Sequence, residues 1–139
     1  MSETTVYQTA ATATGDGRNG RSRSVDGMLD VNLATPKELG GLGGATNPEQ
    51  LFAAGYAACF HSALKLVARR MRVPVEDSAV TVEIGLVKQG PGFVLQAAVE
   101  VELPGLDETA AQQLVDAAHQ VCPYSAAIRG NVDVQVRLA

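Results

Sequence analysis

Polar and apolar residues alternate with a period of two across the second half of the chain. Residues 79–87 read as one strand, Gly90-Pro91-Gly92 as the turn, and 93–103 as the returning partner. Residues 131–138 close with Val132, Val134, Val136 and Leu138 two apart, which predicts a further strand. The N-terminal part is patterned more weakly. Residues 4–13, rich in Thr and short apolar side chains, predict a strand, and the glycines and Asn of residues 15–20 a turn. A second strand over 21–25, an Asp26-Gly27 hairpin signal and a third strand over 28–33 complete a three-stranded meander.

Helical signals separate the two strand regions. Asn47, Pro48 and Glu49 supply an N-cap, a first-position proline and an acid in the first turn, so a helix runs from there to about Met71, before Pro74. Leu51, Phe52, Ala54, Tyr56, Ala58, Cys59, Phe60 and Ala63 cover nearly its whole circumference. A helix apolar all round is buried all round, and one small sheet cannot enclose it, so a second subunit is expected on the other side. Residues 107–121 predict a second helix with Leu114, Val115, Ala118 and Val121 on one face. The element order predicts an α+β fold with antiparallel sheets around a long buried central helix, as a single domain over 1–139. The Gly-rich stretch 35–46 lacks the Gly-Lys-Ser/Thr of a phosphate loop and predicts a flexible or tightly turned connector.

Composition narrows the function classes. The chain is 46% hydrophobic but only 4% aromatic, so Ala, Val and Leu must build its core. A net charge of −4 argues against nucleic-acid binding. The cluster Lys65, Arg69, Arg70 and Arg72 falls at a helix end, where the dipole favours cations. The first five residues have no signal-peptide pattern, and the dense apolar run 51–60 is about half the length of a membrane span. A cytoplasmic protein without membrane insertion is expected. Two cysteines in a reducing compartment then point to catalysis, metal binding or core packing.

Cys59 alone reads as a small core residue. Cys122 adds a second thiol where a helix is stopped by Pro123, partly released from packing and able to move. One thiol on a rigid helix and one at a helix end suit a redox cycle in which the first attacks and the second travels to meet it. Attack requires a thiolate, and burial opposes one, so a permanent cation is needed beside Cys59. Arg18, in the glycine-rich turn, is the candidate, with Glu49 to orient its guanidinium. Glu49 and Cys59 stand ten positions apart on one helix (59 − 49), about 15 Å of rise, so a shared site would take Glu49 from a neighbouring subunit's antiparallel helix. Zinc is the competing reading of Cys59-x-His61 and His119-x-x-Cys122. Residues two apart on a helix point about 200° away from each other, which disfavours a metal or a base shared by Cys59 and His61. No metal and no cofactor is expected.

Residues 44–60, Gly-Ala-Thr-Asn-Pro-Glu-Gln-Leu-Phe-Ala-Ala-Gly-Tyr-Ala-Ala-Cys-Phe, closely resemble the signature of the organic hydroperoxide resistance proteins, a branch of the OsmC-like superfamily. Val121-Cys122-Pro123-Tyr124-Ser125 is similar to that family's second cysteine motif, and Leu29-Asp30-Val31 with residues 35–41 to a third. The resemblance implies an intertwined homodimer with two sites at the subunit interface. It implies Cys59 as peroxidatic cysteine, Cys122 as resolving cysteine, Arg18 as activating arginine and Glu49 as its carboxylate partner. It further implies reduction of organic or lipid hydroperoxides to alcohols, and recycling of a Cys59–Cys122 disulfide by dihydrolipoyl carrier proteins or another dithiol. Phe60, Leu51, Met28 and Phe93 are candidates for an apolar substrate lining. Ala126 departs from the family's Asn at that position. A relative using other thiols or peroxides, and a non-enzymatic zinc-stabilised module, remain the alternatives.

Overall fold

The computed structural model describes residues 3–139. The chain divides into two compact units, one ending at Pro48 and the other running from Glu49 to Ala139. In the first, β1 (Ala11–Thr14), β2 (Arg21–Ser24) and β3 (Asp30–Asn32) form the expected antiparallel meander, in that order. β1 is shorter than the strand predicted over 4–13. Its register, Ala11 opposite Ser24 to Thr14 opposite Arg21, uses all of β2; the Ala10 carbonyl accepts from Val25 N–H at 3.0 Å just beyond it, and residues 3–10 are exposed.

Local polar groups shape the turns of this unit. Between β2 and β3 the Asp26 carboxylate accepts hydrogen bonds from the Met28 N–H (3.0 Å) and the Ser24 hydroxyl (2.7 Å). Both bonds favour its charged form and hold its pKa below the ordinary carboxylate value. The Gly-rich connector is tightly turned rather than flexible. A 3-10 turn at Lys37–Leu39 ends on left-handed Gly40, and Gly41 and Gly43 donate to the carbonyls of Pro36 and Thr35 at 3.0 Å each. A Cβ at Gly41 would stand 2.1 Å from the Thr35 carbonyl oxygen, so only glycine fits there.

α1 (Pro48–Met71) leads into the second unit over the predicted span. Tyr56, Phe60, Ala63, Leu64, Val67 and Ala68 are buried, one stripe at helical spacing. Ala54, Ala58 and Ser62 are exposed. The expectation of burial all round is therefore not met within one chain. At 24 residues α1 is long and apolar enough, by length and composition alone, to cross a membrane, although its densest apolar run, 51–60, is too short by itself. Its buried stripe nonetheless serves as the centre of a protein core.

The remaining elements supply that core. β4 (Ala79–Gln89) and β5 (Gly92–Glu102) pair antiparallel along their full length, and Val82, Ala97, Val99 and Val101 are buried. α2 (Glu108–Val121) starts on Asp107, whose carboxylate accepts from the Thr109 and Ala110 N–H groups. A short α3 (Pro123–Ile128), which the sequence did not reveal, follows at once. β6 (Asp133–Leu138) then pairs with β5 in parallel, correcting the expectation of purely antiparallel sheets. The helical crossover from the end of β5 brings the chain back to enter in the same direction. The α+β class with two sheets and a long central helix holds.

The buried stripe of α2 also differs from the predicted one. Ala111, Leu114, Val115 and Ala118 continue into Cys122, at 0% exposure, whereas Val121 is 42% exposed. Positions 111, 114, 115, 118 and 122 keep one face of a helix; position 121 leaves it. Phe60→Ala should therefore destabilise the protein by about 3–5 kcal/mol in urea unfolding. Val121→Ala should move it by no more than about 0.5 kcal/mol.

Candidate active site

Proline chemistry places the second thiol. Pro123 disfavours helical geometry in the residue before it, and Cys122 accordingly has φ −66° and ψ 121°. Cys122 thus ends α2 and caps α3. Its N–H donates to the Ala118 carbonyl (2.9 Å), and its own carbonyl accepts from Ala126 N–H (3.0 Å). The expectation of a partly released, travelling cysteine is corrected: the residue is fully buried and its backbone is bonded on both sides.

The Cys122 side chain continues the buried α2 stripe and meets α1 there. Its Sγ lies 3.5 Å from Cys59 Sγ, and both cysteines are free thiols. A disulfide needs the sulfurs at about 2.05 Å, so roughly 1.5 Å of approach suffices.

Three helices meet at this point. Ser125, on α3 and fully buried, has its hydroxyl 2.7 Å from Tyr56 Oη of α1 and 2.9 Å from His119 Nδ1 of α2. Phe52, Tyr56 and Tyr124 pack edge-on or tilted, with ring centroids 5.9–6.3 Å apart. Gly55 makes room for this cluster, since a Cβ there would fall 2.9 Å from Tyr124 Oη.

Electrostatics around the thiols oppose each other. Burial is the largest influence on Cys59 and pushes its pKa up; the Tyr124 backbone N–H pulls it down, and the Cys122 side chain pushes it up again. Burial likewise raises Tyr56, partly offset by the Ser125 hydrogen bond, with charge on Cys122 a further raising influence. His119 is lowered, first by burial and then by the Arg129 charge, against a raising effect of Asp116.

Of the residues read from sequence, Cys59 and Cys122 are brought together. Arg18 sits in a 3-10 turn at Gly17–Asn19 of the first unit, and Glu49 in the first turn of α1. Both have polar partners. The neighbouring arginines are committed elsewhere: Arg21 Nε donates to Asp30 at 2.7 Å, and Arg23 Nε lies 3.7 Å from the same carboxylate.

The histidines diverge. His61 Nε2 pairs with Ser78 Oγ at 2.9 Å and His119 with Ser125, and among the described residues no three His, Cys, Asp or Glu side chains converge on a metal-sized point. Of the suggested lining, Phe60 is core, whereas Met28 and Phe93 are 88% and 61% exposed. Tyr56 and Ser125 were missed as site residues. Their sequence signal was a place inside the two cysteine motifs, three positions before Cys59 and three after Cys122. Ala126, where an Asn was expected, is exposed, and the side-chain bonding beside Cys122 comes from Ser125.

A long helix carrying one thiol, with a second thiol at a Cys-Pro helix junction packed on it, defines an α+β protein with a dithiol site. The OsmC-like protein family model matches residues 41–137. An organic hydroperoxide resistance protein of Xanthomonas axonopodis pv. citri is 54% identical over 99% of this chain and 97% of its own. The Bacillus subtilis protein OhrB is 46% identical over 96% of this chain and 98% of its own. The crystal structure of an organic hydroperoxide resistance protein from Legionella pneumophila superposes with a TM-score of 0.92 at 51% identity, covering 98% of this chain and 99% of the other. The chain belongs to the OsmC-like family, in its organic hydroperoxide resistance branch.

The lowered His119 carries a pH signature. A histidine whose folded pKa lies below its unfolded value takes up a proton on unfolding, so stability falls as pH drops below about 6.5 toward the folded pKa. Urea midpoints at pH 7.5 and 5 should show this loss, and His119→Asn, which keeps a polar group at the δ position, should reduce it.

Proposed function

We propose that the chain is a cysteine-based peroxidase that detoxifies organic hydroperoxides. The observation that carries this reading is the 3.5 Å contact between the two free thiols. The names of the relatives support the hydroperoxide as substrate. In the reaction, the Cys59 thiolate attacks the distal peroxide oxygen, the O–O bond breaks, and the departing alkoxide takes a proton to become an alcohol. Cys59 is left as a sulfenic acid. Cys122 attacks its sulfur, water departs, and a Cys59–Cys122 disulfide remains. A dithiol, with dihydrolipoyl groups on carrier proteins as the proposed form, returns both thiols by exchange.

Arg18 supplies the positive charge that the first step needs. Burial and Cys122 push the Cys59 thiol up, and a single backbone N–H is modest opposition. A guanidinium cannot lose its proton and so holds the thiolate at any physiological pH. In this reading Glu49 orients Arg18 and, ten residues from Cys59 along one helix, comes from a neighbouring subunit. The exposed Ala54 and Ala58 of α1 offer surface that such a homodimer would cover. The proposed setting is the cytoplasm.

A peroxide-consumption assay with dihydrolipoamide as sole electron donor tests the reading. The wild-type chain should turn over cumene hydroperoxide; Cys59→Ser should abolish turnover. Cys122→Ser should consume one equivalent and stall. Retained turnover in Cys59→Ser rules the mechanism out. Arg18→Ala should move the pH midpoint of the first step upward, and the rate at neutral pH should fall about tenfold for every pH unit the midpoint rises. Stopped-flow measurement between pH 5 and 9 reads it.

A further inference from the structure

We infer that Ser125 is a positioning residue for the resolving step, tying α1 and the α2–α3 junction together at the level of the two sulfurs. The inference rests on the peroxidase reading above. Its geometric basis is independent of that reading: Ser125 Oγ is fully enclosed and holds Tyr56 Oη at 2.7 Å and His119 Nδ1 at 2.9 Å.

The three residues stand one helical turn from the thiols. Tyr56 precedes Cys59 by three positions on α1, His119 precedes Cys122 by three on α2, and Ser125 follows Cys122 by three on α3. Residues three apart share a helix face. The hydrogen-bonded knot therefore lies beside the sulfur pair and spans the same three helices. A serine hydroxyl with two partners at fixed distances restricts sliding of the three helices past one another.

A second feature ties the knot to the chemistry. Tyr124, whose backbone N–H is directed at Cys59, is the residue before Ser125 in α3. Anchoring Ser125 thus fixes both the attacking sulfur of Cys122 and the donor that steadies Cys59. In the resolving step the Cys122 sulfur forms a bond to Cys59 Sγ as the S–O bond breaks, and the thiol proton leaves with the hydroxide as water. Displacement of this kind requires close approach and alignment, and a misplacement of about 1 Å can cost on the order of a hundredfold in rate.

The test separates the two chemical steps. Reduced wild type, Ser125→Ala, Ser125→Thr and Tyr56→Phe are mixed with cumene hydroperoxide, and sulfenic acid formation and disulfide formation are followed separately by stopped flow. Ser125→Ala should slow sulfenic acid formation by no more than about threefold, through the Tyr124 donor. It should close the disulfide about ten- to a hundredfold more slowly, and accumulate sulfinic acid under excess peroxide. Ser125→Thr, which keeps the hydroxyl, should restore closure, and Tyr56→Phe should give part of the defect. Equal closure rates in wild type and Ser125→Ala overturn the inference, as does failure of Ser125→Thr to restore closure when its urea midpoint matches wild type. Absence of sulfenic acid in the wild type itself would instead overturn the peroxidase reading.

Discussion

The contact between Cys59 and Cys122 depends on where α2 ends. Cys122 is the last position of the buried α2 stripe, and its φ of −66° keeps the helical direction, so its side chain stays in the core with α1. Pro123 acts after it: ψ turns to 121°, the backbone leaves α2, and α3 restarts at once. The sulfur is thereby held at Cys59 while its own backbone N–H and carbonyl stay bonded. The arrangement solves a conflict between two needs. A resolving thiol must be close, yet a loop flexible enough to bring it close would also let it wander. A capped helix junction gives closeness without mobility.

Electrostatics impose the second constraint. A thiol placed in a dry, tightly packed setting is held in its neutral form, and the neutral form does not attack peroxides. The second unit supplies packing and alignment, with the Tyr124 N–H as a donor against the burial of Cys59. The proposed role of Arg18 answers the remaining imbalance.

Much of this was legible in the sequence, for physical reasons that differ by element. Asn47-Pro48-Glu49 announced the start of α1 because capping chemistry is local, and β4 and β5 showed in their alternation because one face is buried. Strand direction was not legible: alternation has the same period whichever way a strand runs, so the parallel pairing of β6 had to come from topology. α3 is six residues long, too short for a periodic pattern, and a proline after a cysteine reads as a stop rather than a restart. Both cysteines were identifiable, but their meeting across 63 positions was not, since sequence separation carries no information on distance in space. Ser125 escaped notice because a buried serine looks like any other serine until its partners are known. The roles of Arg18 and Glu49 rest on charge logic and family resemblance.

The most direct measurement is a thiol map of the protein after one equivalent of an organic hydroperoxide. The account predicts that both free thiols disappear together and that a non-reducing peptide map contains a single linkage, Cys59 to Cys122 within one chain. A cross-link between chains, or a Cys122 that stays free while Cys59 is oxidised further, would contradict it.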